Sequence, residues 1–297
     1  MNSEQKHTTE NTENTEVAQR NQRVETFVQS HRAAKRSDSL STNTTTVSWL
    51  AHHRPLSRAS LRLFCFPYAG GSAAIYRNWS ESLPWQVEVC PVQLPGRGSR
   101  IREAPLTQMP DLVENVAKDL RTYLDKPFAF FGHSMGAIIG FELARLLRQE
   151  GAPEPVHLFV SGRSAPQTPR EYPHTYDLPE QELVEELRQM NGTPEEVLED
   201  PELRQFMLPL LRADFEVIQT YTYLDQPPLT CSLTAFGGLN DNEVPRDSLE
   251  GWREQTTKAA TVRLFPGDHF FINKVQPSLL RIISTELYQH DLLNRDR

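Results

Sequence analysis

The most informative stretch of this sequence is FAFFGHSMGAIIG (residues 128–140). It reads as a short apolar strand, a Gly-x-Ser-x-Gly turn centred on Ser134, and the start of a helix rich in Ile and Ala. Gly132 and Gly136 allow strand and helix to approach closely, and a serine on such a turn carries its hydroxyl above the sheet edge. The helix N-terminus also aims the backbone N–H of Met135 at the place where an oxyanion would form. We predict that Ser134 is a nucleophile, the alternative being an ordinary glycine-flanked turn.

The order of the elements on either side of this turn predicts an α/β fold. Apolar runs typical of buried strands occur at residues 61–66, 86–92, 128–131, 156–161, 229–236 and 261–265. Helix-forming segments separate most of these runs, including one with Asp111 as its expected N-cap. Repeated strand–helix units predict a mostly parallel sheet with helices on both faces. Residues 164–226 interrupt the alternation with three charged helical segments, which we interpret as a helical lid.

The first 48 residues differ in composition from the rest of the chain. They include the tract TTENTENTE (residues 8–16), and such segments bury too little apolar area to offset the entropy of ordering them. They explain the low mean hydropathy of −0.54. We predict a disordered extension over residues 1–48, the alternative being a docking tail, and a single domain over residues 49–297.

Charge and cysteine content narrow the class of protein further. A net charge of −8 argues against a general nucleic-acid binder, which requires a basic face. The three cysteines, Cys65, Cys90 and Cys231, lie in or beside apolar runs without metal-ligand spacing, so we expect buried reduced thiols. No signal-peptide pattern opens the chain, and no apolar run approaches the roughly 18 residues of a membrane span. These observations predict a soluble cytoplasmic protein that does not contact a membrane.

A serine nucleophile needs a base and an acid that orients the base. Among nine histidines, His269 lies on a loop after the last predicted strand, where the chain order Ser, Asp, His places the base. Asp241, in the loop after the preceding strand, is the predicted acid, with Glu243 as the alternative. We interpret His133 as structural and Asp268 as a residue that caps or braces its loop.

Five stretches of the chain resemble the type II thioesterases of nonribosomal peptide and polyketide biosynthesis, which are similar to the medium-chain fatty acid thioesterases. They are FPYAGG (66–71), LPGR (94–97), GHSMGA (132–137), SGR (161–163) and GDHFF (267–271), and LRADF (211–215) looks like the family too. The resemblance covers about residues 49–290 and implies an α/β-hydrolase fold. It also implies a triad of Ser134, Asp241 and His269, with oxyanion donors at the backbone N–H groups of Met135 and Ala69.

The implied activity is hydrolysis of stalled or wrong acyl and aminoacyl groups on the phosphopantetheine arms of acyl or peptidyl carrier proteins. The resemblance implies no cofactor and no metal ion, and we expect a monomer. The glycine pair that follows Ala69 can turn N–H groups towards an oxyanion, or it can form a plain tight turn. The alternative functions are a carboxylesterase or lipase, a medium-chain acyl-carrier thioesterase, and a silent hydrolase-like scaffold. We place carrier docking on the loop with Arg97, Arg100 and Arg102, unless these arginines only brace the loop through ion pairs.

Overall fold

The computed structural model describes residues 49–169 and 174–289. The extension predicted to be disordered, residues 1–48, lies outside the described residues. The described chain divides into two compact units. Among the described residues, one unit comprises residues 49–169, 174–177 and 210–289 and holds the sheet, and the other comprises residues 178–209.

The sheet has six strands, and every neighbouring pair is parallel. Their order across the sheet is β2-β1-β3-β4-β5-β6. The strands are β1 (Leu61–Phe66), β2 (Val87–Pro91), β3 (Phe128–His133), β4 (His157–Ser161), β5 (Ser232–Gly238) and β6 (Ala260–Phe265). The six apolar runs of the sequence therefore correspond to the six strands, and the predicted parallel sheet is confirmed.

Alternation of side chains along the strands gives the sheet a core on each face. In β1, Phe64 and Phe66 pack into one cluster, whereas Leu61, Leu63 and Cys65 pack into the other. The register of β1 with β3 pairs Phe66 with Gly132, so the residues before the predicted nucleophile lie in the centre of the sheet. A turn at this position is held by strands on both sides.

Helices cover both faces of the sheet. The α-helices of the described residues, in chain order and counting both units, are α1 (Met109–Leu120), α2 (Met135–Gln149), α3 (Glu180–Gln189), α4 (Glu195–Glu199), α5 (Pro201–Gln219), α6 (Arg246–Glu250), α7 (Phe271–Lys274) and α8 (Gln276–Tyr288). The prediction of Asp111 as an N-cap is wrong, because α1 begins two residues earlier with Pro110 in its first turn. Pro110 has no backbone N–H to satisfy there, so the chain enters the helix without a side-chain cap.

The unit formed by residues 178–209 contains α3, α4 and the first half of α5. Leu183, Leu187 and Leu198 are buried, and Arg188 forms ion pairs with Glu185 and Glu195. The boundary of the unit falls at Pro209, which lies inside α5. The helices predicted for this part of the chain are present, and their movement as a lid over residues 164–226 stays a prediction.

The three cysteines are free and buried, as the sequence predicts. Burial raises the pKa of the Cys65 and Cys90 thiols and raises the pKa of Cys231 to about 12. Among the described residues, no helix combines the length and the apolar character that crossing a bilayer requires.

Candidate active site

Ser134 occupies a strained turn between β3 and α2. Its backbone has φ 52° and ψ −112°, a conformation that a non-glycine residue adopts only when its surroundings enforce it. The Ser134 N–H donates to the Ser161 carbonyl at 2.7 Å, which ties the turn to the end of β4. A Cβ at Gly132 would lie 2.0 Å from the Gly136 carbonyl oxygen, so this strand and helix meet backbone to backbone. The predicted strand–turn–helix geometry is therefore present.

The start of α2 also lies against the end of β1. A Cβ at Gly136 would lie 2.1 Å from the carbonyl oxygen of Phe66 and 2.8 Å from that of Pro67. The loop after Phe66, which carries Ala69, is therefore a close neighbour of the turn that carries Ser134. In the described part of the chain, the N–H groups of Met135 and Ala69 have no hydrogen-bond acceptor. Two donors with these properties can stabilise an oxyanion.

Asp241 and His269 are in contact at the same edge of the sheet. His269 Nδ1 and Asp241 Oδ2 are 2.8 Å apart, and both residues are buried. The second carboxylate oxygen of Asp241 accepts the N–H groups of Glu243 at 2.9 Å and Val244 at 3.2 Å. The carboxylate is thus fixed by the backbone of its own loop and holds the imidazole through its remaining oxygen. Glu243, the alternative acid, is exposed and helps to orient Asp241 through its backbone.

The loop that carries His269 is also held locally. Asp268 accepts the Phe270 N–H at 2.9 Å, so it caps this turn as the sequence suggests. Asn240 N–H donates to the Gly267 carbonyl at 2.9 Å, which joins the loop of Asp241 to the loop of His269. Ser134, Asp241 and His269 follow β3, β5 and β6, and parallel strands bring their carboxyl ends to one sheet edge.

His133 is fully buried beside these residues. Its Nδ1 lies 2.9 Å from the Ser161 hydroxyl, and its ring centroid lies 5.3 Å from that of His269. Burial lowers the pKa of His133 well below its ordinary value, and the positive charge of a protonated His269 lowers it further. A neutral imidazole therefore lies next to the predicted base.

The structure excludes two of the three arginines of the proposed docking loop, whereas Arg102 is exposed and its part in docking stays a prediction. Arg97 and Arg100 are 5% and 6% exposed, so neither guanidinium is available to a partner. Arg100 forms a two-bond ion pair with Glu103 and lies over the Trp49 ring at 3.9 Å, which confirms the bracing alternative for this residue. Arg97 instead pairs with Asp214, 117 positions away, a partner that sequence spacing did not reveal.

A second cluster that the sequence analysis missed lies beside the edge strand β2. Ligand atoms of His53, Glu88 and Cys90 lie within 4.8 Å of one another, which is close enough to hold a metal ion. However, the guanidinium of Arg62 and the ammonium of Lys126 lie 3.3 and 3.8 Å from Glu88. These positive charges already balance the carboxylate, so we assign no metal to the cluster.

Comparison with known proteins identifies the family of this chain. The thioesterase domain family matches residues 61–287. The chain belongs to this family. It is a thioesterase with the α/β-hydrolase fold, and the predicted sheet with flanking helices is the architecture of that fold.

Several proteins similar to this thioesterase are named for biosynthetic pathways. It is 48% identical to the gramicidin S biosynthesis protein GrsT of Aneurinibacillus migulanus, over 80% of this chain and 93% of that protein. Its fold is similar to that of the prodiginine-pathway thioesterase RedJ of Streptomyces coelicolor, with TM-score 0.74, 39% identity, and coverage of 84% and 99%. The type II thioesterase BorB of the borrelidin cluster is similar too, with TM-score 0.75, 37% identity, and coverage of 82% and 100%.

Proposed function

We propose that Ser134, His269 and Asp241 form the catalytic triad of this thioesterase. The observation that carries the proposal is the 2.8 Å contact between the buried Asp241 carboxylate and His269, at the sheet edge where Ser134 lies on its strained turn. A carboxylate that holds Nδ1 as a donor leaves Nε2 as the acceptor that a serine hydroxyl requires.

In the first half of the reaction, His269 Nε2 takes the proton of Ser134 as its oxygen attacks the thioester carbonyl carbon. The negative charge that develops on the carbonyl oxygen is stabilised by the N–H groups of Met135 and Ala69. In comparable sites one such donor is worth roughly 3 kcal/mol of transition-state stabilisation. The carbon–sulfur bond then breaks, and the thiol leaves with the proton held by His269.

The second half releases the acid. His269 deprotonates a water molecule that attacks the acyl-serine ester, and the same two N–H groups stabilise the second oxyanion. Collapse returns the proton to Ser134 and frees the carboxylic acid. This mechanism assigns every proton transfer to residues of the chain, so it requires neither a metal ion nor a cofactor.

The substrates we propose are acyl and aminoacyl groups on the phosphopantetheine arms of carrier proteins. GrsT, RedJ and BorB are named for gramicidin S, prodiginine and borrelidin biosynthesis, and BorB is named a type II thioesterase. A thioesterase with this role would remove stalled or wrong acyl groups and restore the carrier. Because carrier domains are commonly acidic and this chain has a net charge of −8, long-range attraction does not explain docking. We place this activity in the cytoplasm, where the three free thiols would stay reduced.

The test compares one acyl group on three leaving groups: a carrier-bound phosphopantetheine, coenzyme A and p-nitrophenol. We expect the highest kcat/KM with the carrier and the lowest with the p-nitrophenyl ester. Equal efficiency with carrier and coenzyme A would contradict the carrier assignment. A preference for the oxygen ester would favour the carboxylesterase alternative, and no turnover of any substrate would favour a silent scaffold.

A further inference from the structure

The segment Tyr68–Ser72, here called the oxyanion loop, is held by a buried ion pair from two distant parts of the chain. Asp214 Oδ2 accepts the Gly70 N–H at 2.7 Å. Arg97 donates to both oxygens of the same carboxylate, at 2.7 Å each, and to the Gly71 carbonyl at 3.2 Å. The ion pair therefore holds two successive residues of the loop, because it accepts the N–H of Gly70 and donates to the carbonyl of Gly71.

Both charged groups are almost completely buried. The side chains of Arg97 and Asp214 are 6% and 1% exposed. In a solvent-exposed ion pair both side chains remain mobile. A buried guanidinium–carboxylate pair with two hydrogen bonds instead fixes the geometry of both groups. Replacing a buried pair by apolar residues of similar volume is often neutral for stability, so stability alone does not account for this arrangement.

The backbone of the loop is conformationally permissive. Gly70 has φ 74°, and Gly71 follows it, so two glycines in succession leave the backbone conformationally permissive. A Cβ at Gly70 would lie 2.7 Å from Leu211, one turn before Asp214 on α5. The helix therefore contacts the loop through a packed side chain and through the carboxylate.

The residue directly before Gly70 is Ala69, whose N–H is the proposed second oxyanion donor. The Gly70 N–H is engaged by Asp214 and the Gly71 N–H donates to the Tyr68 carbonyl at 2.9 Å. An oxyanion donor contributes fully only when its direction is fixed before the reaction begins. The Tyr68 carbonyl and the Ala69 N–H lie in one peptide plane, so the bond from the Gly71 N–H fixes that plane. Asp214 and Arg97 hold Gly70 and Gly71 in the positions that this bond requires.

We propose that Arg97 and Asp214 are positioning residues that preorganise the oxyanion loop and, through it, the Ala69 donor. Neither residue is assigned a contact with the substrate. The proposal rests on the proposed catalysis at Ser134, since an oxyanion donor matters only if an oxyanion forms there.

The test removes the pair without leaving a buried charge. The double variant Arg97→Met/Asp214→Leu replaces both groups by apolar side chains. The matched control is Arg100→Met/Glu103→Leu. It removes another arginine–carboxylate pair, which lies in the segment just after Arg97 and does not contact the oxyanion loop. For each protein, kcat and KM are measured on a small acyl thioester, unfolding is followed in urea, and affinity is measured for an alkyl boronic acid that forms a tetrahedral anion on serine.

We expect kcat of the Arg97/Asp214 double variant to fall about 10- to 100-fold, because one lost oxyanion donor costs about 10²–10³-fold. KM should change by less than about twofold, and boronate affinity should fall in parallel with kcat/KM, because only the tetrahedral state uses the donor. The control should keep kcat, KM and boronate affinity within about twofold of wild type.

A merely structural pair would give a different pattern. If the Arg97/Asp214 double variant folds and keeps wild-type kcat, whether or not its urea midpoint falls, the proposal is wrong. It is also wrong if kcat falls while boronate affinity stays at the wild-type value. Should the double variant fail to fold, Asp214→Asn and Arg97→Lys, which keep most of the volume, must show the parallel loss of kcat and boronate affinity. Wild-type protein without thioesterase activity, or an active Ser134→Ala variant, would contradict the proposed function instead.

Discussion

The two sides of the candidate active site are held by different kinds of contact. On the nucleophile side, Ser134, Asp241 and His269 are fixed mainly by backbone groups of their own loops and of adjacent strand ends. On the oxyanion side, the loop with Ala69 is fixed by the side chains of Arg97 and Asp214. The first kind of support follows from the fold, whereas the second requires two particular residues.

This difference predicts how each side responds to substitution. Backbone support on the nucleophile side survives many side-chain changes, so substitutions there should act on chemistry and spare folding. The exceptions are the glycines at which backbones touch. On the oxyanion side, side chains that never contact the substrate should alter the rate.

The largest effect is expected for Ser134→Ala. Removing a serine nucleophile lowers kcat by about a millionfold in a comparable hydrolase, and the small change in volume should leave the free energy of unfolding within about 0.5 kcal/mol. Thioester hydrolysis and urea unfolding measure the two quantities. Ser82→Ala, at an exposed position, is the control and should be fully active. Turnover by Ser134→Ala within tenfold of wild type would remove Ser134 from the mechanism.

Asp241→Asn should cost less than the loss of the nucleophile, about 10⁴-fold in kcat, because the amide no longer holds the productive tautomer of His269. Glu243→Gln should stay within about threefold of wild type, since the hydrogen bond that Glu243 gives to Asp241 comes from its backbone. Steady-state kinetics on a small thioester compares the pair. A mild Asp241→Asn together with a severe Glu243→Gln would reverse our assignment of the acid.

The contact between the two sides is tested by Gly136→Ala. Its Cβ would lie 2.1 Å from the Phe66 carbonyl oxygen, so backbone must move, at a cost of about 3 kcal/mol or more. Gly140→Ala, one turn later in α2, is the matched control because its nearest neighbour is 3.5 Å away. There alanine should be neutral or stabilise the helix by up to about 1 kcal/mol. Equal urea midpoints for the two variants would show that the helix and strand are less tightly packed than described.

The smallest effect concerns pH. The pKa of His133 is lowered in the folded protein, so the unfolded chain binds the extra proton as pH falls below the unperturbed value of about 6.5. Stability should therefore decrease on acidification below this pH, by up to about 1.4 kcal/mol per pH unit from this residue. Urea unfolding of wild type and His133→Gln between pH 5 and 7.5 isolates the contribution as a difference in slope. Parallel curves would mean that His133 is protonated in the folded state.

Much of the fold follows from local sequence. Each strand is a short apolar run, and alternation with helices determines the parallel sheet. The predicted boundaries of some strands differ from the observed ones. The strand predicted to begin at residue 229 begins at Ser232, and Leu229 forms only an isolated bridge with Thr256. The proximity of Asp241 and His269 was also predictable, since the loops that follow adjacent parallel strands meet at one sheet edge.

The supports of the oxyanion loop were not predictable in the same way. An arginine in a glycine-rich loop is usually exposed to solvent unless it pairs with a buried carboxylate. The carboxylate that pairs with Arg97 belongs to Asp214, 117 positions later in the chain, so sequence spacing did not indicate it. The cluster of His53, Glu88 and Cys90 was not predictable either, because only the folded chain brings His53 close to β2. Unlike Asp241 and His269, these polar groups do not all follow adjacent parallel strands, so their proximity becomes visible only in the folded chain.

The buried pair of Arg97 and Asp214 also constrains how this sequence can change over time. Losing either partner alone leaves an uncompensated charge in the interior, at a cost of about 3–5 kcal/mol, a large share of a typical domain's stability. During evolution the pair can therefore be lost only if both residues change together or if an intermediate with one substitution survives with reduced stability. In related chains, a change at one of these two positions should be accompanied by a change at the other.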